Sequence, residues 1–358
     1  MTSFLRTISE KFTPRQSTTD LTKRDDGFHT AKVADQLFTK TTQEVDGDEC
    51  LQDCESCTIH YPRKFEIDEE DELYGHIQGW SRHLVVATGK TDWVRDVADE
   101  KGSVMEAVGK HHGEVAGGNL MLSASNMLVP DDNYSEGPYG EDRPTTVLLL
   151  PSFTFVDNVT PNHVPDLISS VINTAPTNTS GLPQSTEQNG AENTAPPSPN
   201  DLPAGLSLRN CPHKYVILMC SQATRDARCG QSAPLLRREL ERHLRPLGLY
   251  RDLGDNRPGG VGIYFISHVG GHKYSANVMV YRREDPKRSV PEQMQNGGSA
   301  ASEAGRNDGE AAQCIWLARV KPEDCENIVR FTVLQGKVVK PEKQLRGGFD
   351  REKGIVSW

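Results

Sequence analysis

Four side chains in the second half of the sequence have the types and spacing of a metal centre. Cys220 closes the apolar run YVILMC, Cys229 follows nine positions on, and His268 and His272 flank two glycines in HVGGH. Thiolate and imidazole are soft and borderline donors suited to iron, zinc or copper. The glycines let the backbone turn tightly enough for both imidazoles to face one point without a regular helix. The nine-residue step between the cysteines departs from the C-x2-C knuckle of structural zinc sites. On the residues alone, zinc and an iron–sulfur cluster both stay open.

The elements that must position these donors follow from hydrophobic patterning. RHLVVATG and TTVLLLPSFTFV read as buried strands, and VPDLISSVI has helical spacing. A second unit starts at YVILMC and continues through SAPLLRRELERHLRPLG, where Leu236, Leu240 and Leu244 share a helix face and Pro246 and Gly248 end it. VGIYFISH, ANVMVY and IWLARV follow as strands, then PEDCENIVRFTVLQG as a helix. This pattern gives an α/β protein with a flexible tail (1–48), an N-terminal domain (49–173), a disordered linker (174–207), a C-terminal domain (208–347) with a polar insertion (283–312), and a flexible C-terminal arm (348–358). The halves share a coarse order of elements, which suggests a degenerate tandem repeat whose first copy has lost its ligands. Different strand orders in the two halves refute that idea.

CSQATRDARCG, SHVGGHKYSANVMVY and VKPEDCENIVRFTVLQGKVV followed by LRGG closely resemble the sucrase/ferredoxin-like family, the thioredoxin-like ferredoxins. The resemblance covers most of residues 48–348. It implies two thioredoxin-like domains in tandem with long polar insertions, the second binding a 2Fe-2S cluster through Cys220, Cys229, His268 and His272. It also gives Arg225 and Arg228, inside the Cys loop, a role at the sulfurs or in docking an acidic reductase, and Asn277 a role in orienting the HVGGH loop. The resemblance departs after HVGGH, where the family often has a glycine after the Ala-like residue and here Ser275 and Ala276 precede Asn277 directly. Two ferric ions, two sulfides, two thiolates and two neutral imidazoles sum to zero charge, so such a centre accepts an electron more readily than an all-cysteine one. Histidine ligation on one iron goes with potentials of about −150 to +300 mV, against about −400 mV for plant-type clusters. Ligand imidazoles can also titrate at their outer nitrogens, coupling electron to proton transfer.

Composition sets the outer bounds. The chain has 358 residues, only 35% of them hydrophobic, with a net charge of −10. Residues 1–207 carry −18 and residues 208–358 carry +8, so the halves can attract each other or separate partners. The positive residues are scattered rather than gathered into a stripe with interleaved aromatics, which argues against nucleic acid. No run of about 18 apolar residues exists, which argues against membrane insertion. Asp68, Glu69 and Glu70 read as a solvated face rather than the acid–base pair of a glycosidase.

Two loose ends remain. Cys50, Cys54 and Cys57, with His60 nearby, could bind zinc or work as a dithiol, so a thiol–disulfide oxidoreductase and a zinc-bound interaction protein are the alternatives to an electron carrier. Cys211, Cys314 and Cys325 read as packing residues. Val356, Ser357 and Trp358 end the chain in a tripeptide similar to the signal that recruits the cytosolic iron–sulfur assembly targeting machinery. That similarity favours the cytosol. The Ser-, Thr- and Arg-rich start leaves the mitochondrion as the alternative, although Glu10 and Asp20 interrupt it. An unidentified reductase or electron acceptor completes the expected partners.

Overall fold

Fourteen strands form one continuous sheet in the computed structural model, which describes residues 21–129, 143–182, 202, 205–283 and 309–358. In chain order they are β1 (Leu21–Lys23), β2 (His29–Ala31), β3 (Arg82–Ala87), β4 (Leu120–Ser125), β5 (Thr145–Leu150), β6 (Thr154–Val159), β7 (Ser207–Asn210), β8 (Tyr215–Cys220), β9 (Tyr250–Arg251), β10 (Val261–Ile266), β11 (Val278–Arg283), β12 (Ala311–Leu317), β13 (Leu345–Asp350) and β14 (Ile355–Val356). Their spatial order is β1-β2-β14-β13-β12-β11-β8-β10-β4-β3-β5-β6-β7, with β9 paired to β10. The protein is a mixed α/β fold with few helices.

The two halves share one topology. In the first, β3 lies parallel to β4 and antiparallel to β5, which pairs antiparallel with β6. In the second, β8 lies parallel to β10 and antiparallel to β11, which pairs antiparallel with β12. Each parallel crossover carries a helix, Val104–Lys110 in the first half and Ala227–Leu244 in the second. Each fourth strand runs into a helical segment that opens on a proline, at Pro161 and at Pro322. The two halves therefore have the same strand order.

The half-sheets join edge to edge at β4 and β10 through the antiparallel pair Ser125–Ile266. They also fold face to face. His83 of β3 lies 3.1 Å from Tyr281 of β11, although four strand spacings separate those strands, about 19 Å in a flat sheet. Alternate residues explain the layering: Val85, Ala87, Val216 and Leu218 share the core between the half-sheets, whereas Leu84 and Val86, and Ile217 and Met219, point into separate cores under the outer helices.

Several boundaries differ from those read in the sequence. The expected tail contributes β1 and β2 at the far edge of the C-terminal half-sheet, because β2 pairs with β14. Leu37 and Phe38 are fully buried in the same half. The start of the expected linker is packed, with the buried Arg82 guanidinium donating to the Ala175 carbonyl at 2.6 and 2.9 Å and Asn178 fully buried. Strand β7 pairs with β6, so the N-terminal half-sheet extends to Asn210.

The C-terminal arm is not a free arm. It supplies the end of β13 and all of β14, and the Trp358 ring packs on Trp80 with ring centroids 4.6 Å apart. Arg24 and Thr30 donate to the Trp358 carbonyl at 2.7 and 2.8 Å. A Cβ on Gly79 would stand 2.2 Å from the Trp358 ring, so only glycine leaves the ring its place. The presequence-like start before Leu21 and most of the 283–312 insertion lie outside the described residues; Arg283 itself ends β11, and Ala311 opens β12.

Candidate metal centre

Cys220 is the last residue of β8, and the loop 221–226 carries the chain to the helix Ala227–Leu244, where Cys229 is the third residue. Asp226 caps this helix by accepting from the Arg228 amide at 2.9 Å. The first helical turn directs partial positive charge at Cys229, which favours a thiolate or an anionic centre there. Gly230 lets that turn press on the loop, since a Cβ would meet the Ala223 Cβ at 2.6 Å.

Both thiols are buried, at 2% exposure for Cys220 and none for Cys229. They hydrogen-bond each other, and the ring of His268 hydrogen-bonds Cys220. The Cys229 hydrogen bond, seconded by His268, holds the Cys220 thiol down at about 6 against the cost of burial. Cys229 keeps its proton, pushed well above the usual thiol range by the neighbouring Cys220 and by burial. The Cys229 thiol and the His268 ring thus each approach Cys220, at the C-terminal ends of the parallel pair β8 and β10. The His272 side chain lies outside the described residues; its backbone opens a short helical turn, His272–Tyr274, beside the same site.

The histidine loop is held from below by a residue that sequence reasoning missed. Arg346 is buried, and Nη1 donates to the Gly270 carbonyl at 3.0 Å and to Asn277 Oδ1 at 2.8 Å, while Nη2 donates to the His76 carbonyl at 3.0 Å. Burial lowers its pKa only to about 10, so it stays charged, and it acts electrostatically on Cys220. Gly271 is left-handed at φ +65°, and a Cβ there would stand 2.3 Å from Arg346 Nη2. Asn277, expected to orient the loop, touches it through Arg346: its side chain also accepts from Trp316 Nε1 at 3.1 Å, and its carbonyl accepts from the Cys220 amide at 3.2 Å.

Gln222, also missed, ties three segments together. Its Oε1 accepts from the His268 amide at 2.8 Å, and its Nε2 donates to the Val94 carbonyl at 2.5 Å. Arg225 donates to the Arg95 carbonyl at 3.3 Å. Arg228 is ion-paired to Asp226 at 2.8 Å and donates to the Glu66 carbonyl at 3.1 Å, with its charge also felt by Cys229. The two arginines thus brace the Cys loop against the first half and residue 66.

The N-terminal cysteines are elsewhere. Cys54 and Cys57 pack on the C-terminal half of the long helix, where Cys54 Sγ lies 3.8 Å from His243 Nε2 and accepts from Arg242 Nη2 at 3.2 Å. His60 is exposed and Cys50 is fully buried apart from them. Cys211, Cys314 and Cys325 are fully buried, as packing residues are. Glu69 pairs with Lys321 and Asp68 accepts from two backbone amides of its own turn, which leaves no catalytic carboxylate pair in that run.

A sucrase/ferredoxin-like family model matches residues 73–347, which takes in β3 to β12 with Cys220, Cys229, His268 and His272. The chain belongs to the sucrase/ferredoxin-like family. Among curated relatives, actin patches distal protein 1 of Saccharomyces cerevisiae is 26% identical over 287 residues, covering 78% of this chain and 77% of that one. Altered inheritance of mitochondria protein 32 of Clavispora lusitaniae and its counterpart in Debaryomyces hansenii are each 31% identical, over 36% of this chain and 33% and 34% of theirs. No solved structure matches the chain. Like the sequence, the described residues contain no helix long and apolar enough to cross a membrane.

Proposed function

We propose that this sucrase/ferredoxin-like chain is an electron-transfer protein whose C-terminal half, a thioredoxin-like domain, holds one 2Fe-2S cluster through Cys220, Cys229, His268 and His272. The observation that supports this reading is the buried Cys220 thiol at a sheet end, with the buried Cys229 thiol and the His268 ring both hydrogen-bonded to it. The donor set fits the group: two thiols and an imidazole are soft and borderline donors, seated against a helix start and a buried arginine that both favour negative charge. The shared strand order supports reading the first half as a second, ligand-free thioredoxin-like domain.

Such a cluster, when bound, supplies one-electron transfer near the potentials of histidine-ligated centres. The chain's own residues do the rest. Gln222 and Arg346 fix the histidine loop, Asn277 couples that loop to the Cys220 backbone, and the burial of both sulfurs excludes water. Arg225 and Arg228 give the rim a positive character toward an acidic reductase or acceptor.

The test is chemical. Full-length protein purified without oxygen is expected to be red-brown with about two irons and two acid-labile sulfides per chain. A colourless protein with neither contradicts the reading. The dithiol alternative has less support, because burial pushes the Cys57 thiol up to about 11 and so disfavours the thiolate it needs.

Recruitment of the iron–sulfur assembly targeting machinery by Val356, Ser357 and Trp358 in the cytosol belongs to the same reading. It requires the tripeptide to leave its seat against Trp80, because Val356 and Ser357 are buried there.

A further inference from the structure

The long helix carries a second group of donors far from Cys229. Glu239 and His243 stand one turn apart on one face, and together with Cys54 they bring a carboxylate oxygen, an imidazole nitrogen and a thiol sulfur within 4.8 Å of one another. Glu239 lies ten residues beyond Cys229, about 15 Å along the helix axis. Cys57 interacts with both Cys54 and Glu239. The Cys57 amide donates to the Cys54 carbonyl at 3.2 Å, closing a tight C-E-S-C turn.

We propose that Cys54, Cys57, Glu239 and His243 bind a zinc ion that fastens the N-terminal cysteine segment to the helix. C-x2-C with a histidine and a carboxylate from a helix is a four-donor set that zinc takes tetrahedrally. Zinc–sulfur and zinc–nitrogen bonds of about 2.3 and 2.0 Å at the tetrahedral angle place sulfur and nitrogen about 3.5 Å apart. Cys54 Sγ and His243 Nε2 lie at 3.8 Å, and His243 Nε2 and Glu239 Oε1 at 3.5 Å.

An independent observation points to a ligand. Glu239 is 1% exposed, and its Oε2 is buried with no hydrogen-bond partner, a costly state for a carboxylate oxygen unless something positive completes it. The charges also close. Two thiolates and a carboxylate carry three negative charges, balanced by a divalent ion together with Arg242, which already donates to Cys54 Sγ and to Glu239 Oε1 at 2.8 Å. Arg242 then acts as an outer partner that orients the ligands. Binding releases the two thiol protons to solvent.

The test uses the full chain, purified without oxygen from zinc-supplemented cells and analysed for metals. One zinc per chain is expected to survive dialysis. Cys57→Ser and His243→Gln should each lower it at least tenfold, while the double variant Cys220→Ser, Cys229→Ser keeps it. In case Cys57→Ser does not fold, X-ray absorption at the zinc edge of that double variant should show two sulfur and two nitrogen or oxygen neighbours. The proposal is overturned by a wild-type chain that holds no zinc and gives no thiolate charge-transfer band with Co2+. It is equally overturned by zinc that follows Cys220 and Cys229, by a zinc shell of light atoms only, or by a Cys54–Cys57 disulfide in place of metal.

Discussion

The two half-sheets have one strand order but different chemistry where it counts. Cys220 ends β8 opposite Ile266 of β10; Ala87 ends β3 opposite Ser125 of β4. His268, two residues past Ile266, corresponds to Met127, two residues past Ser125. Both counterparts in the first half are buried apolar residues. The loop after β3 has instead become a support. Its Asp92 accepts from the Thr224 amide and hydroxyl at 3.0 and 2.8 Å, and its Thr91 carbonyl accepts from the Ser221 hydroxyl at 2.7 Å. One copy keeps the donors and the other holds the loop that carries them.

The largest contrast is in metal. Cys220→Ser should reduce bound iron at least tenfold by elemental analysis, whereas Ala87→Ser at the matching position should leave it unchanged. Equal loss in both variants breaks the division of roles.

The interface between the halves should respond to acid. Burial lowers His83 to about 3 and His213 to about 4, against an ordinary 6.5. Neutral His83 bonds Tyr281 across the halves at 3.1 Å and Ser123 of its own half at 2.9 Å. The unfolded chain binds protons that the folded one refuses, so stability is full above about pH 6.5 and falls as pH drops toward 4 and 3. Each histidine costs up to about 1.4 kcal/mol per pH unit within its window. Denaturant titrations from pH 7 to 4 check this, and His83→Gln should flatten the slope.

Arg346 sharpens the comparison on the ligand side. Arg346→Met removes a buried positive charge near Cys220 and should lower the reduction potential, while Arg346→Lys should fall between it and the wild type. An unmoved potential in Arg346→Met denies the arginine its electrostatic role. Gly79→Ala should expel the Trp358 ring, red-shift tryptophan fluorescence and expose the chain end to carboxypeptidase, with iron content retained.

The smallest effect is expected at Ala276, held at φ +42° with Ser275 at φ +56°. Ala276→Gly relieves a left-handed conformation that costs L-residues about 1 kcal/mol, so stability should rise by no more than that.

Much of the site was legible because donors advertise themselves by type. Cys229 and His268 both lie beside Cys220, and Asn277 bonds to Arg346, Trp316 and the Cys220 amide. Residues that act by reaching across the fold were not legible. Arg346 and Gln222 are ordinary polar residues in sequence, and only sheet topology brings them under the histidine loop. Glu239 and His243 carried a readable signal, a four-residue spacing on a helix, but their partners Cys54 and Cys57 come from about 180 residues earlier. The strands were readable from apolar runs. The ends of the chain were not, because β1, β2 and β14 are short and polar-flanked and gain their order by pairing with one another and, through β14, with β13.

The most direct test of the centre is pulsed electron paramagnetic resonance on the one-electron-reduced, full-length protein. The account predicts hyperfine couplings from two imidazole nitrogens, one of them lost in His268→Cys and the other in His272→Cys. A paramagnetic centre with no nitrogen coupling, or with couplings indifferent to both substitutions, contradicts it.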